Sequence, residues 1–288
     1  MFLFPLFLLA GAADAHEEIN PLYRELRREG VSVGEGLSAP LPPPTMPDGL
    51  SAAEQQRVLR ELVRGRYPVA EFTRNSVVAP HLLEIRDVKP SAPGAPARGV
   101  DVWFVAHGDL DAVASKDFLD RLSREREDNA RWHALTEAEL AKRGITIPPR
   151  RKDNEGFAFA EFPFLDRVQL AATAHSVWGR TDESVVAAVR VDPRFRGDPE
   201  FPNQWRPLKR GRSGKLEPGE AHPYEGAGYY VKVTRLHEPK GALFVESHVI
   251  FTEPHGWFGG ANLLRSKLPP VVQSEVRSFR RQVAKASR

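Results

Sequence analysis

Histidines placed near carboxylates are the most reactive material in this sequence. His107-Gly108-Asp109 follows a β-branched, aromatic run, and His-x-Asp behind a strand is a spacing that can present two zinc ligands. A metal centre of that kind also needs an adjacent Glu-Glu pair, and the Glu17-Glu18 pair is far from any strand. The local alternative is a strand-to-helix turn in which Asp109 or Asp111 caps the helix that follows. Four more histidines, His222, His237, His248 and His255, fall late in the chain at spacings that match no metal pattern. His237 and His248 can face each other across a hairpin around Lys240, with Glu246 or Glu253 as a third ligand; paired residues on a hairpin surface are the alternative. There is no Gly-x-Ser-x-Gly elbow, P-loop or Gly-x-Gly-x-x-Gly fingerprint. Neither a metal nor a cofactor is expected.

The absence of cysteine removes thiol nucleophiles, disulfides and zinc ribbons. Lys and Arg number 41 against 38 Asp and Glu, a net +3 over 288 residues, and the charges are interspersed. A nucleic-acid role is therefore not expected. Residues 2–13 are apolar apart from Pro5 and run into Ala13-Asp14-Ala15, the small-x-small pattern of a signal-peptidase site, which places cleavage before His16 and makes residues 1–15 a signal peptide. About a dozen residues fall short of the roughly 20 that span a bilayer. This implies export to a bacterial periplasm or the extracellular space, with a retained anchor as the rival.

Those residues must be positioned by a particular series of elements. The run Pro40-Leu-Pro-Pro-Pro-Thr-Met-Pro47 excludes helix, so residues 16–49 read as a proline-rich linker, with ordered structure starting after it. Ser51 and Glu54 form a capping box for a helix over 51–65. Strands are expected at 71–78, 81–88 and 100–107, with a loop over 90–99, then helices at 113–127 and 136–142. A strand series follows at 157–162, 167–177, 184–191, 228–236 and 242–251, with a hairpin turn at Pro239-Lys240-Gly241. The 192–226 connection is long and polar, and its basic cluster Lys209, Arg210, Arg212 and Lys215 beside Trp205 could meet an anionic membrane surface. After Pro269 and Pro270, the stripe Val272, Val276, Phe279 and Val283 marks a last helix, with Arg277, Arg280, Arg281 and Lys285 on its other faces.

Several stretches carry a family resemblance. Residues 100–105 leading to Phe118-Leu119-Asp120-Arg121-Leu122 are similar to the first strand and first inserted helix of START-like lipid-binding domains. Residues 162–168, with Pro163 before the Asp166-Arg167 pair, resemble a strand entry of that family, and residues 249–257 with Leu263-Leu264 its last strand, loop and helix entry. The resemblance covers about residues 50–288. It implies an α+β helix-grip fold: a curved antiparallel β-sheet wrapped around a long C-terminal α-helix, with two short helices inserted. It also implies an apolar cavity between sheet and helix that holds a lipid-like molecule. Alternation over 242–251 puts Phe244, Glu246, His248 and Ile250 on one mixed face, suited to a cavity in which a few polar groups orient an apolar ligand, though a strand edge under a loop has the same pattern. Trp103, Phe159, Trp178, Leu264, Leu268, Val272, Val276 and Phe279 complete the expected ligand-binding set.

The expected function is an exported carrier of a lipid or other hydrophobic small molecule, without a catalytic set. Two alternatives stand beside it: a cyclase- or hydrolase-like enzyme using His248 or His255 with Glu246, and a structural envelope protein without ligand. Exported material is expected to begin at His16; Edman degradation that returns Met1 places the protein among anchored ones instead.

Overall fold

The computed structural model describes residues 14–34, 36–88, 97–115, 118, 131–211, 214–224, 226–254, 257 and 261–287, without the side chains of 261 and 262. The apolar leader over 2–13, most of the 90–99 loop, the 113–127 helix beyond its start, residues 119–122, Arg212 and His255 lie outside the described residues. Asp14 caps α1 (Ala15–Ile19), and Asn20, accepting from the Tyr23 N–H, caps α2 (Pro21–Arg28). β1 (Val31–Gly34) and β2 (Leu37–Ala39) form a hairpin of their own. Ordered structure thus begins well before the proline run, because Leu22, Tyr23, Leu26, Val31 and Val33 bury themselves against the main sheet.

Residues 40–50 then cross the sheet as a strap with no regular structure, burying Leu41 and Met46. The expected capping box starts α3 (Ala52–Val63), whose Leu59 and Val63 face inward. Where a strand was expected over 71–78, the chain makes a single turn, α4 (Val69–Phe72), behind Pro68. Phe72 is fully buried against Leu59 and Val63, so its apolar character serves a helix contact rather than a pleat.

β3 (His81–Val88) and β4 (Ala97–His107) follow, then two short inserted helices, α5 (Leu110–Val113) and α6 (Glu137–Ala141), with an unexpected edge strand β5 (Arg131–Ala134) between them. β6 (Glu155–Phe164) and β7 (Val168–Arg180) join through a turn in which Leu165 and Asp166 have φ of 52° and 57°, so the residues expected at a strand entry sit in the hairpin bend. β8 (Ser184–Val191) comes next. The supposed loop over 192–226 contributes β9 (Gln204–Arg210), β10 (Leu216–Pro218) and β11 (His222–Pro223). β12 (Ala227–Arg235) and β13 (Ala242–Thr252) form the expected hairpin.

β3 to β13 make one eleven-stranded antiparallel sheet with the path β10-β9-β7-β8-β12-β13-β4-β3; β7 also pairs β6, which carries β5, and β11 pairs β9. A single long helix, α7 (Ala261–Ala286), lies on one face along β3 and β4, which makes the architecture an α+β helix grip. Pro269 and Pro270 are inside this helix and do not open it. The stripe of Val272, Val276 and Phe279 extends backward through Leu268 and Leu264, which share the same core, so burial carries the helix across two residues that cannot donate.

Arg280 is not on an outer face of α7. It is 4% exposed, and its guanidinium donates to the carbonyls of Val105 (2.8 Å), Val77 (3.2 Å), Ala79 (2.6 Å) and Pro80 (2.9 Å). With no carboxylate among these partners, burial lowers its pKa to about 10. The fork fastens the last helix to both β4 and the turn before β3. Arg280→Met is expected to leave several buried carbonyls unpaired and to lower unfolding free energy by about 2–4 kcal/mol in urea melts. Arg280→Lys should recover less than half of that, because a single ammonium cannot serve four carbonyls held in a plane.

Candidate functional site

The two faces of the sheet differ, and β13 shows how. Its even residues, Phe244, Glu246, His248 and Ile250, point away from α7 toward the strap and α3 and are at most 1% exposed. Two of them are polar and buried, so each needs partners. Glu246 finds them in the proline run: its carboxylate accepts the Thr45 N–H at 2.6 Å and the Met46 N–H at 3.2 Å. His248 bridges two acids, with Nδ1 2.8 Å from Asp101 and Nε2 3.1 Å from Glu246, while Asp101 also accepts from Arg86 at 2.8 Å. Trp103 donates to the Thr45 hydroxyl at 2.8 Å and Tyr230 to the Pro42 carbonyl at 3.0 Å. Burial pushes the His248 pKa down, but hydrogen bonds and charge from Asp101 and Glu246 outweigh it and hold the imidazole above its ordinary 6.5. Asp101 is pulled below the usual carboxylate range: burial opposes this, and its bonds to His248 and Arg86 prevail.

The expected ligand-binding residues therefore do not form one site. Trp103, Phe244, Glu246, His248 and Ile250 lie under the N-terminal elements; Phe159 belongs to a separate cluster with Leu140 and Phe201. Leu264, Leu268, Val272, Val276 and Phe279 pack on the other face, with Phe279 edge-on to Phe104 and Phe118. Trp178 is half-buried and, by register with Ala187, shares that second face.

On the α7 side two cross-strand rows continue beyond the helix. One runs Ser247, Val231, Ala187, Trp178 and the next Val249, Tyr229, Val189, Ser176. All eight are half-buried, whereas their neighbours on the opposite face, including Val186, Ala188, Tyr230, His248 and Ile250, are sealed. The rows carry no charge and offer three hydroxyl groups. Charged pairs stand near the ends of the same strands, Arg180 with Asp111 and Arg98 with Glu253 and Asp87. These two uncharged rows are half-buried, whereas the Glu246 face is sealed. The odd residues of 227–235 and the alternation of 184–191 were the available signal for them; only Trp178 among their residues was expected from sequence.

The other candidates are structural. Asp109 caps α5 by accepting the Asp111 N–H, and His107 Nε2 meets the Thr73 carbonyl at 2.9 Å. His237 lies beyond the paired residues of the hairpin and contacts the Leu50 carbonyl, so it does not oppose His248; His222 stacks on Trp205. Among the described residues no three His, Asp or Glu gather as a metal site. Trp205 is buried and does not share the surface of the exposed Lys209 and Arg210. Surface clefts of about 310 Å³ beside the β1–β2 hairpin and about 340 Å³ beside Gly241 lie away from the two rows. Among the described residues no helix is long and apolar enough to cross a membrane.

No protein-family model matches the chain, and no curated protein matches it. Among solved structures it is similar to the human StarD13 (DLC2) lipid transfer and protein localization domain, at 7% identity and TM-score 0.39, over 72% of this chain and 90% of that one. It is also similar to human STARD10, at 9% identity and TM-score 0.37, over 88% and 83%. Likenesses of this grade describe an outline and no shared chemistry.

The buried imidazole gives the sheet a pH signature. Because the folded pKa of His248 lies above its free value, its contribution is complete below pH 6.5 and is lost as pH rises through the raised value. Urea melts between pH 5.5 and 8.5 should show this alkaline loss. Glu246→Gln should weaken it and lower stability by about 1.5–3 kcal/mol, the range for a charge-assisted hydrogen bond.

Proposed function

We propose that the protein is an exported carrier that holds a lipid-like or other hydrophobic small molecule on the α7 side of the sheet. The observation that carries this reading is the asymmetry of the two faces: one is sealed by 37 residues of N-terminal chain from Asp14 to Leu50, while the other keeps an uncharged trough half open beside α7. A ligand covering about 300 Å² of apolar surface there gains about 7 kcal/mol before the entropy of binding is subtracted. Ser247 and Tyr229 are placed to orient a carbonyl or hydroxyl group, the Ser176 hydroxyl donates to the Gly156 carbonyl, and nothing in the two rows would pair with a charge. In this reading the β9–β10 hairpin, with Lys209, Arg210 and the exposed Leu216, is the part that meets an anionic membrane surface.

The pairing of Glu246 with His248 is disfavoured as an acid–base set, since their polar atoms face the strap and are occupied by Thr45, Met46 and Asp101, while His255, the other partner weighed for Glu246, lies outside the described residues. A structural protein without ligand is separated from a carrier by experiment. Displacement of a fluorescent fatty-acid probe should report binding by the parent chain. Ala187→Trp should fill the trough, leave stability within about 1 kcal/mol of the parent as expected for a half-open site, and abolish probe binding. Val276→Trp enters packed core, since Val276 is 3% exposed, and should destabilise by about 1–3 kcal/mol. A parent that binds no probe favours the ligand-free protein, and an Ala187→Trp variant that still binds moves the site elsewhere.

A further inference from the structure

We propose that the docking of residues 14–50 on the back of the sheet is a latch released by acid, with His16 as its sensing group. The argument is independent of the ligand reading and concerns the chain that keeps Asp14, not one cleaved before His16. His16, on α1, is fully buried, and its ring is enclosed by groups from every element packed against it: Asp14 and Tyr23 from the N-terminal segment, Asp48 from the strap, Thr181 and Ser184 from the entry to β8, and Lys232 from β12.

Hydrogen-bond valence decides which form of the ring fits. The Ser184 hydroxyl donates to Asp48 Oδ1 at 2.6 Å, so the 2.6 Å contact between Ser184 Oγ and His16 Nε2 requires the imidazole to donate from Nε2. That tautomer leaves Nδ1 as a bare acceptor, and Nδ1 is buried with no hydrogen-bond partner among the described residues. Protonation would place an N–H and a positive charge at Nδ1, where no group among the described residues receives them. The carboxylate at hand is already occupied: Asp48 holds Lys232 at 2.8 Å and accepts from Thr181 at 2.7 Å and from Ser184, and it stands 3.6 Å from His16 Nε2. A second buried cation would have to share Asp48 with Lys232, and Asp14, the other acid nearby, already accepts from the His16 N–H and the Tyr23 hydroxyl.

The electrostatics agree with the geometry. Burial, then the charge of Lys232, lower the His16 pKa from 6.5 to about 4 against the opposite pull of Asp48 and Asp14. Released chain takes up a proton near pH 6.5 and docked chain does not, so docking is complete above 6.5 and weakens about tenfold for each pH unit below it, down to about 4. Over that window the loss is about 300-fold. His81 on β3 and His175 on β7 also have lowered pKa values, burial being the largest cause for each, but they sit outside the latch and act on the sheet. The readout must therefore be local to residues 14–39.

Hydrogen exchange of the full chain, corrected for the intrinsic pH dependence of amide rates, tests this at pH 7, 6 and 5. Exchange in residues 14–39 should rise about threefold from pH 7 to 6 and about eightfold from pH 6 to 5, while β12 and β13 stay protected. In His16→Gln, which can still donate to Ser184 but cannot take a proton, the same segment should lose its pH dependence. An unchanged slope in that variant, or a flat parent, overturns the latch. Should the variant already be undocked at pH 7, an NMR titration of His16 in the parent decides. A docked ring that protonates at 6.5 or above refutes the proposal, and one that stays neutral until protection is lost upholds it.

Discussion

Glu246 taking the two consecutive amide protons of Thr45 and Met46 is the contact on which the rest of this molecule depends. The five prolines between 40 and 47, Pro40, Pro42, Pro43, Pro44 and Pro47, have no N–H to donate, so this stretch can be buried with few orphan amides. The donors that remain go to specific acceptors: Leu41 N–H to the Leu26 carbonyl, and Thr45 and Met46 to Glu246. The acid in turn is tolerable in a central strand only because the strap and His248 satisfy it. With the strap seated, α2 and α3 are held on either side of it, and the back of the sheet closes. The hydrophobic surface left half open is then confined to the α7 side.

Much of the architecture was legible in local pattern. The Ser51-Glu54 capping box, the 239–241 hairpin and the strand series from 157 to 251 all correspond to observed elements, because each is decided by neighbours within a few residues. The order of strands and final helix followed from them. Long-range contacts were not legible. A proline run reads as a linker because nothing in it announces a carboxylate two hundred residues away. Arg280 reads as a surface cation because its partners are backbone carbonyls, which have no sequence signature.

The site shows the same division. Alternation in 242–251 correctly separated the two faces of β13, but periodicity cannot say which face another segment covers. The mixed face, with Glu246 and His248, looked like a ligand cavity and is instead a joint between strap and sheet. Polar groups in an apolar row serve either purpose, and here main-chain amides of the strap take up the polar groups of the sealed face. The early turn at 69–72 and the strands inside 192–226 were missed for a related reason, since short edge strands and single turns take their conformation from the elements they lie against.

The separation in sequence between Thr45 and Glu246, 201 residues, has a kinetic side. A ribosome adds about 5–20 residues per second, so the strap emerges roughly 10–40 s before its acceptor exists. Throughout that interval the back face cannot close, and β4 lacks its partner β13. A chain whose joining contact links its beginning to its last strand stays loose until synthesis is nearly over, which raises its contact order and slows folding.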